Sequence, residues 1–132
     1  MSKPTVLVVD DEPDVVTLLD RTLTGEGFEV FTAYDGISAL DIAAMDKPLV
    51  IVLDIMMPMM SGYETCQQLK SNPETKHIPV LCLTSAHSAD VREKAQKAGA
   101  QALLIKPIMP AELVAQIRRY LPGGERHPAT KG

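Results

Sequence analysis

Five short segments of the chain have the residue pattern of β-strands. Four of them, at residues 6–9, 49–53, 80–83 and 102–105, are continuous apolar runs rich in Val, Ile and Leu. Runs without alternation between polar and apolar residues are typical of strands covered on both faces, as in a parallel sheet. The fifth segment, residues 29–33, alternates more and is predicted to be an edge strand.

Segments with the apolar spacing of helices follow the predicted strands. The predicted helices cover about residues 13–24, 37–44, 61–72, 89–98 and 113–121. Ser61 followed by Glu64 is a capping-box signal for the start of the third helix. The fourth helix has only Val91, Ala95 and Ala98 to bury, so we expect it to be the least firmly packed.

The alternation of strands and helices predicts a three-layer, doubly wound α/β sandwich, in which right-handed crossovers join parallel strands. The length of 132 residues, with 45% hydrophobic and 23% charged residues, fits one globular domain of this kind and leaves no room for a second. In such sheets the functional site lies at the carboxyl ends of the strands, near the point where the strand order reverses.

Overall charge and cysteine content disfavour several classes of protein. The net charge of -4 disfavours binding to a nucleic-acid backbone through bulk charge. Cys66 and Cys82 are too few for a disulfide framework and are expected to be buried, reduced thiols. No apolar stretch approaches the roughly 18 residues of a membrane helix, and the N-terminus does not resemble a secretory signal. The predicted location is therefore cytoplasmic.

Polar side chains stand where four of the predicted strands end. They are Asp10 and Asp11 after the first strand, Asp54 after the third, Thr84 and Ser85 after the fourth, and Lys106 after the fifth. Any one alone has the simple interpretation of a cap or turn residue. Clustered carboxylates, however, share protons or hold a cation, and oxygen ligands of this type suit Mg²⁺. A lysine and a hydroxyl at the same edge bind phosphoryl oxygens, so the set indicates phosphoryl transfer onto, or off, a carboxylate.

Four motifs follow one another at these strand ends. They are Val-Val-Asp-Asp-Glu at 8–12, Asp-Ile-Met-Met-Pro-Met-Met-Ser-Gly at 54–62, Leu-Thr-Ser at 83–85 and Ile-Lys-Pro at 105–107. In this order the motifs resemble those of a receiver (CheY-like) domain of a two-component response regulator. The resemblance covers residues 4–121, and residues 122–132 are then a flexible tail or a truncated linker. It implies a flavodoxin-like fold whose five parallel strands lie in the order 2-1-3-4-5.

The resemblance also implies a role for each site residue. Asp54 is implied to be the phosphoacceptor. Asp10, Asp11, Asp54 and the backbone carbonyl of Met56 are implied to bind Mg²⁺.

Further residues are implied to bind or respond to the phosphoryl group. Thr84 is implied to bind a phosphoryl oxygen, Lys106 to pair with the phosphoryl group, and Ser85 to keep its entry uncrowded. Structural roles are implied for Pro58, Pro107 and Gly62. For Pro107 the role includes a cis peptide bond with the preceding residue, Lys106.

Two features of the sequence depart from the family pattern. Receivers usually have an aromatic residue three positions before the lysine, and here that residue is Leu103. We therefore expect switching to rely more on residues 84–85 and the fourth helix. Met56 and Ala86 occupy the positions that orient the attacking water in the family, and neither side chain can do so by hydrogen bonding. Slow self-dephosphorylation follows as a prediction.

The function implied is that of a phosphoacceptor signalling module, which catalyses only its own phosphorylation and slow dephosphorylation. The implied donor is a sensor histidine kinase or a histidine phosphotransfer protein. The implied target is a downstream effector or a fused output domain, reached through the surface of the fourth helix, fifth strand and fifth helix. The same surface is a candidate for dimerisation. No membrane and no direct nucleic-acid contact are expected for this domain.

Three other functions compete with this interpretation. The main alternative is a Mg²⁺-dependent phosphohydrolase that works through an aspartyl-phosphate, as in the dehalogenase class. That class needs a second acid two residues after the nucleophile, where this chain has Met56. Flavin or dinucleotide binding is disfavoured because no glycine-rich phosphate-binding loop follows the first predicted strand. A receiver fold used only for protein binding is disfavoured because all the reactive positions are present.

The phosphoacceptor motif is rich in methionine. Its four methionines are Met56, Met57, Met59 and Met60. They form either an adaptable apolar lip for partner docking or a set of side chains packed under the loop, and methionine serves both purposes.

Overall fold

Five strands and five helices alternate along the computed structural model, which describes residues 3–86 and 88–122. The strands are β1 Thr5–Val9, β2 Glu29–Ala33, β3 Val50–Asp54, β4 Val80–Thr84 and β5 Ala102–Ile105. The helices are α1 Pro13–Gly25, α2 Gly36–Asp46, α3 Gly62–Ser71, α4 Ala89–Ala98 and α5 Pro110–Arg119. All ten elements agree in type with the sequence-based prediction.

The strands form one parallel sheet in the order β2-β1-β3-β4-β5. The flavodoxin-like fold is therefore confirmed, and the order reverses between β1 and β3. Residues 5–9 of β1 pair with residues 29–33 of β2, and residues 6–9 also pair with residues 50–53 of β3. This register brings the carboxyl ends of β1 and β3 side by side.

One strand is less buried than its sequence pattern predicts. β5 pairs only with β4 and forms an edge of the sheet, where Ile105 is exposed and Leu103 is only partly buried. An apolar run predicts that a segment forms a strand, but it does not predict whether one or two other strands lie beside it. Both edges of the predicted strand order 2-1-3-4-5, β2 and β5, are confirmed.

Two hydrophobic cores lie on opposite faces of the sheet. Successive strand residues point to opposite faces, so Ile51 joins the core under α2, α3 and α4, while Val52 joins the core under α1 and α5. Cys66 and Cys82 are buried in the first core as free thiols. Leu23 of α1 is fully buried in the second.

A local hydrogen-bond motif marks the start of α3. The Ser61 hydroxyl accepts a hydrogen bond from the Glu64 N–H at 3.2 Å, and the Glu64 carboxylate accepts one from the Ser61 N–H at 3.0 Å, so the predicted capping box is present.

Fully buried residues of α4 are confined to Ala95 and Ala98, while Val91 is partly buried. This confirms the sparse packing expected of the fourth helix.

Two expectations concern the ends and the environment of the chain. The predicted tail, apart from Pro122, lies outside the described residues. Within residues 3–86 and 88–122, no helix combines the length and the apolar character required to cross a bilayer.

Two leucines of α1 provide a matched test of the core. Leu23 is 0% exposed and Leu18 is 60% exposed. We expect Leu23→Ala to lower the free energy of unfolding by about 2–5 kcal/mol because it removes buried methyl groups and leaves a cavity. Leu18→Ala is the control and is expected to cost about 0.5 kcal/mol. Urea denaturation followed by circular dichroism measures both, and equal losses would contradict the assignment of the core.

Candidate functional site

Three carboxylates meet at the carboxyl ends of β1 and β3. Asp10 directly follows β1, Asp54 is the last residue of β3, and one carboxylate oxygen from each of Asp10, Asp11 and Asp54 lies within 4.8 Å of the other two. Asp10 and Asp54 are buried, and Asp11 is the more exposed. Glu12 belongs to the same sequence motif but lies outside this cluster. Its side chain is exposed, and its backbone N–H donates to Asp10 Oδ1 at 3.0 Å.

Lys106 reaches this cluster from the end of β5. Its ammonium Nζ lies 3.1 Å from Asp10 Oδ2 and 3.3 Å from Asp54 Oδ1. Its backbone N–H donates to the Thr84 carbonyl at 2.8 Å, which ties the residue to the end of β4. The Lys106–Pro107 peptide bond is cis. One cation therefore bridges two buried carboxylates that lie on adjacent strands.

Burial and mutual repulsion change the acidity of these groups. Burial raises the pKa of the Asp54 carboxyl, and the negative charge of Asp10 raises it further, while Lys106 opposes both effects without cancelling them. Burial alone would lower the pKa of Lys106, but its contacts with Asp10 and Asp54 outweigh burial and raise it. The lysine therefore stays cationic at neutral pH, while the site keeps an excess of negative charge.

The loop between β3 and α3 carries Met56 and closes over the end of β3. The Gly62 N–H donates to the Ile55 carbonyl at 2.9 Å, and the Met56 N–H lies 3.4 Å from Asp54 Oδ1. A Cβ on Gly62 would clash with the Asp54 carbonyl oxygen and would lie 2.5 Å from Ile55 Cα. Glycine is required here because α3 begins against the backbone at the end of β3. Pro58 is exposed on the same loop.

The β4 end lies beside the cluster. Thr84 is buried, and its hydroxyl accepts a hydrogen bond from the Ala86 N–H at 3.0 Å. Ser85 and Ala86 are exposed. The pairing of Asp54 with Leu83 puts Thr84 one residue further along the neighbouring strand. The structure thus brings the predicted hydroxyl to the same edge as the carboxylates.

Leu103 lies beneath α4 rather than in the carboxylate cluster. It pairs in register with Cys82 and packs partly buried against the core. Together with Arg92 and Gln96 it borders a cleft of about 200 Å³ between α4 and β5. Leucine thus occupies the β5 position at which an aromatic residue is usual in the family that the motifs resemble.

The methionines of the loop divide between the two proposed roles. Met56 is 66% exposed and Met59 is 101% exposed, whereas Met57 is buried and Met60 is half-buried. Two side chains are thus exposed on the loop, and two are wholly or partly buried. Met60 packs against Gly36 at the start of α2. The sequence does not predict this contact, because it depends on how the β3–α3 loop packs against α2.

The carboxylate cluster has the chemistry of a Mg²⁺ site. Its donors are carboxylate oxygens, which suit this hard cation, and two of its three carboxylates contact the ammonium of Lys106. A divalent cation would offset the remaining negative charge. The residues present therefore fit the ion.

A family model for the response regulator receiver domain matches residues 6–118. The chain belongs to this family. The match covers β1 from its second residue, the other four strands and all but the last residue of α5.

Named relatives and solved structures agree with this membership of the receiver family. The chain is 45% identical over 113 residues to response regulator PleD of Caulobacter vibrioides and 42% identical over 116 residues to response regulator MprA of Mycobacterium avium. These matches cover 86% and 88% of the chain but only 25% and 50% of the two relatives. The receiver domain thus spans half or less of the length of these relatives.

Two solved structures resemble the receiver domain closely. Chemotaxis protein CheY4 of Vibrio cholerae has a TM-score of 0.87 and 33% identity, covering 91% of this chain and 100% of that one. The receiver domain of a sensor histidine kinase from Pseudomonas aeruginosa, solved with a magnesium ion coordinated in its active-site cleft, has a TM-score of 0.83 and 27% identity. That match covers 91% of this chain and 98% of the other.

Membership of the family settles the class of function. Receiver domains are phosphoacceptors in two-component signalling, they bind Mg²⁺ in an acidic pocket, and they interact with kinases and effector domains. The chain is therefore a receiver domain of this signalling type. None of the comparisons favours the phosphohydrolase alternative.

The raised pKa of Asp54 predicts a pH-dependent effect of its removal. In Mg²⁺-free buffer at pH 7, we expect Asp54→Asn to increase the free energy of unfolding by about 1 kcal/mol, because it removes a buried charge that Asp10 repels. Wild-type Asp54 takes up a proton in the folded state at a higher pH than in the unfolded state. The advantage of the variant therefore shrinks as the pH falls through the raised folded pKa toward the usual value of 3.8.

Thermal or urea unfolding between pH 7 and pH 3.5 measures this effect. Asp41→Asn, at an exposed position of α2, is the matched control and is expected to change stability by less than about 0.5 kcal/mol. An advantage of Asp54→Asn that widens on acidification would contradict the assignment.

Proposed function

We propose that Asp54 is the residue that accepts the phosphoryl group in this receiver domain. The observation that carries the proposal is the contact of Lys106 with both Asp10 and Asp54 at the edge of the sheet. Lys106 holds one oxygen of Asp54 at 3.3 Å and is poised to offset the charge that a phosphoryl group adds. Thr84, on the adjacent strand, is proposed to bind a phosphoryl oxygen, and exposed Ser85 leaves room for it.

In the proposed reaction, a carboxylate oxygen of Asp54 forms a bond to phosphorus as the bond from phosphorus to a histidine nitrogen of the donor breaks. The imidazole leaves with its electron pair and takes up a proton. Burial of Asp54 excludes most water, and the Lys106 ammonium remains beside the oxygens where negative charge accumulates. The chain thus catalyses its own phosphorylation and slow dephosphorylation.

Mg²⁺ is the proposed cofactor of this receiver domain. Asp10, Asp11, Asp54 and the backbone carbonyl of Met56 are the proposed ligands, and the proximity of the three carboxylates supports this assignment. When bound, Mg²⁺ supplies positive charge that offsets the repulsion between these carboxylates and the incoming phosphoryl oxygens. The Pseudomonas receiver domain, with magnesium in its active-site cleft, offers a parallel.

The proposed partners follow from the family. The donor is a sensor histidine kinase or a histidine phosphotransfer protein, and the recipient of the signal is an effector protein or a fused output domain. The proposed recognition surface, which is also the candidate for dimerisation, comprises α4, β5 and α5. With leucine at position 103 in place of an aromatic residue, switching is proposed to depend mainly on residues 84–85 and on sparsely packed α4.

The extent and setting of the domain are also proposals. We assign residues 4–121 to the receiver and residues 122–132 to a tail or linker, which is compatible with the family match at residues 6–118. We propose that the domain works in the cytoplasm without direct contact with membrane or nucleic acid, since its net charge is -4 and its two cysteines are too few for a disulfide framework.

Phosphorylation of Asp54 is tested with acetyl phosphate and Mg²⁺. We expect intact-protein mass spectrometry to show a gain of one phosphoryl group in the wild type and in Asp41→Asn, whose altered residue is exposed on α2. Asp54→Asn should show no gain because it lacks the nucleophilic oxygen. A phosphorylated Asp54→Asn protein, or an unmodified wild type, would refute the proposed phosphoacceptor.

The lifetime of the phosphoryl group is predicted to be long. Met56 and Ala86 are both exposed, yet neither side chain can orient an attacking water by a hydrogen bond. We expect the double variant Met56→Asn, Ala86→Glu to lose the phosphoryl group at least about tenfold faster than the wild type. Met59→Asn, in the same loop, is the control and should decay at the wild-type rate. Equal decay of the double variant and the wild type would contradict this explanation.

A further inference from the structure

The side chain of Met60 sits in a notch at the beginning of α2. An added Cβ on Gly36 would lie 2.9 Å from Met60 Sδ and 3.1 Å from Met60 Cγ, and it would clash with Thr65 Oγ1. Gly36 is buried, and the missing Cβ is what leaves space for the thioether. Thr65 is itself fixed, since it is fully buried and its hydroxyl donates to the Ser61 carbonyl at 2.9 Å.

The loop that carries Met60 has few other buried contacts. At its start the Ile55 N–H donates to Leu83 at 3.0 Å, and at its end Gly62 donates back to Ile55 at 2.9 Å. Between these points, Met57 is buried and Met60 and Ser61 are partly buried, while residues 56, 58 and 59 are exposed. Met59 has φ 69°, a left-handed conformation that a residue with a side chain adopts only when its surroundings hold it.

The same loop shapes the phosphoacceptor site. The Met56 N–H lies 3.4 Å from Asp54 Oδ1, so a shift of the loop moves a group that faces the proposed nucleophile. The Met56 carbonyl is on the same loop and is a proposed Mg²⁺ ligand. Small displacements of groups that orient a reacting atom have large effects on binding and rate.

We propose that Met60 and Gly36 are positioning residues for this site. The thioether seated over Gly36 holds the second half of the β3–α3 loop against α2, and this keeps the Met56 backbone in place beside Asp54. The inference rests on the proposed function of Asp54 and Met56. It adds a contact between α2 and the loop that acts through the backbone rather than through contact with the phosphoryl group.

The two neighbouring methionines provide a matched test. Met60→Ala removes the seated side chain, and Met59→Ala removes one that is 101% exposed. In metal-free protein, we expect amide hydrogen exchange at residues 55–62 to be about tenfold faster in Met60→Ala than in the wild type. By isothermal titration calorimetry, its Mg²⁺ dissociation constant should rise about fivefold. Met59→Ala should match the wild type within about twofold in both measurements. Met60→Leu should show amide exchange and a Mg²⁺ dissociation constant closer to the wild type than to Met60→Ala.

A second pair of variants tests the notch from the other side. Gly36→Ala introduces a methyl group against Met60 Sδ and should produce the same faster exchange and weaker Mg²⁺ binding. Gly25→Ala is the control, because a Cβ at that position in α1 meets nothing within 4 Å. Because the added methyl group also meets Thr65 Oγ1, the double variant Gly36→Ala, Met60→Ala is measured as well. A loss no larger than that of Met60→Ala alone would identify the contact between residues 36 and 60 as the cause, and a larger loss would contradict a role for Gly36 through Met60.

A purely structural role gives a different result. If Met60→Ala lowers the melting temperature but leaves loop exchange and Mg²⁺ affinity at the level of Met59→Ala, the proposal is wrong. Hydrogen exchange and metal binding are both measured before any phosphoryl transfer. A wild type that binds Mg²⁺ but takes no phosphoryl group would refute the phosphoacceptor function while leaving the positioning role supported.

Discussion

Repulsion between the carboxylates of Asp10 and Asp54 is the constraint on which the site depends. Both are buried, and bringing two such charges together is unfavourable unless a cation lies between them. Lys106 supplies that cation from the end of β5, which lies two places from β3 and three from β1 in the sheet, and its backbone is tied to Thr84 at the end of β4. One ammonium does not balance all the nearby carboxylates, so the site is left with negative charge that a divalent cation would offset.

The sheet makes this arrangement possible because it is packed on both faces. Two separate cores hold the central strands, and their carboxyl ends are therefore fixed relative to one another before any ligand binds. The loops that follow these strands are held differently. The β3–α3 loop starts at Ile55, and at its end the Gly62 N–H donates back to the Ile55 carbonyl. The loop fits against β3 only because residue 62 is glycine, and Met60 packs it against α2. By contrast, α4 buries few residues, which leaves it suited to move.

Much of this could be predicted from the sequence, although several features could not. The runs at residues 49–53 and 80–83 predict buried strands because their apolar residues are continuous, and Ser61 with Glu64 predicts a helix start because a capping box is local. The apolar run at residues 102–105 predicts a strand covered on both faces, whereas β5 is only partly buried. Its edge position agrees with the strand order 2-1-3-4-5 that the family resemblance implies. Glu12 belongs to the acidic motif but is not part of the cluster: it occupies the N-cap position of α1, where its exposed side chain makes no capping hydrogen bond. The sequence also left two roles open for the methionines of the loop.

The sequence by itself determined the order of the elements, the polar residues at the strand ends and hence the family and its chemistry. These features depend on residues close together in the chain, whose periodicity and capping follow from backbone geometry. Only the tertiary structure decided that Lys106 contacts both Asp10 and Asp54, that Met60 rather than Met59 is seated, and that Gly36 provides the notch. Each of these contacts joins residues from different elements, and side-chain packing between elements leaves no periodic trace in the sequence.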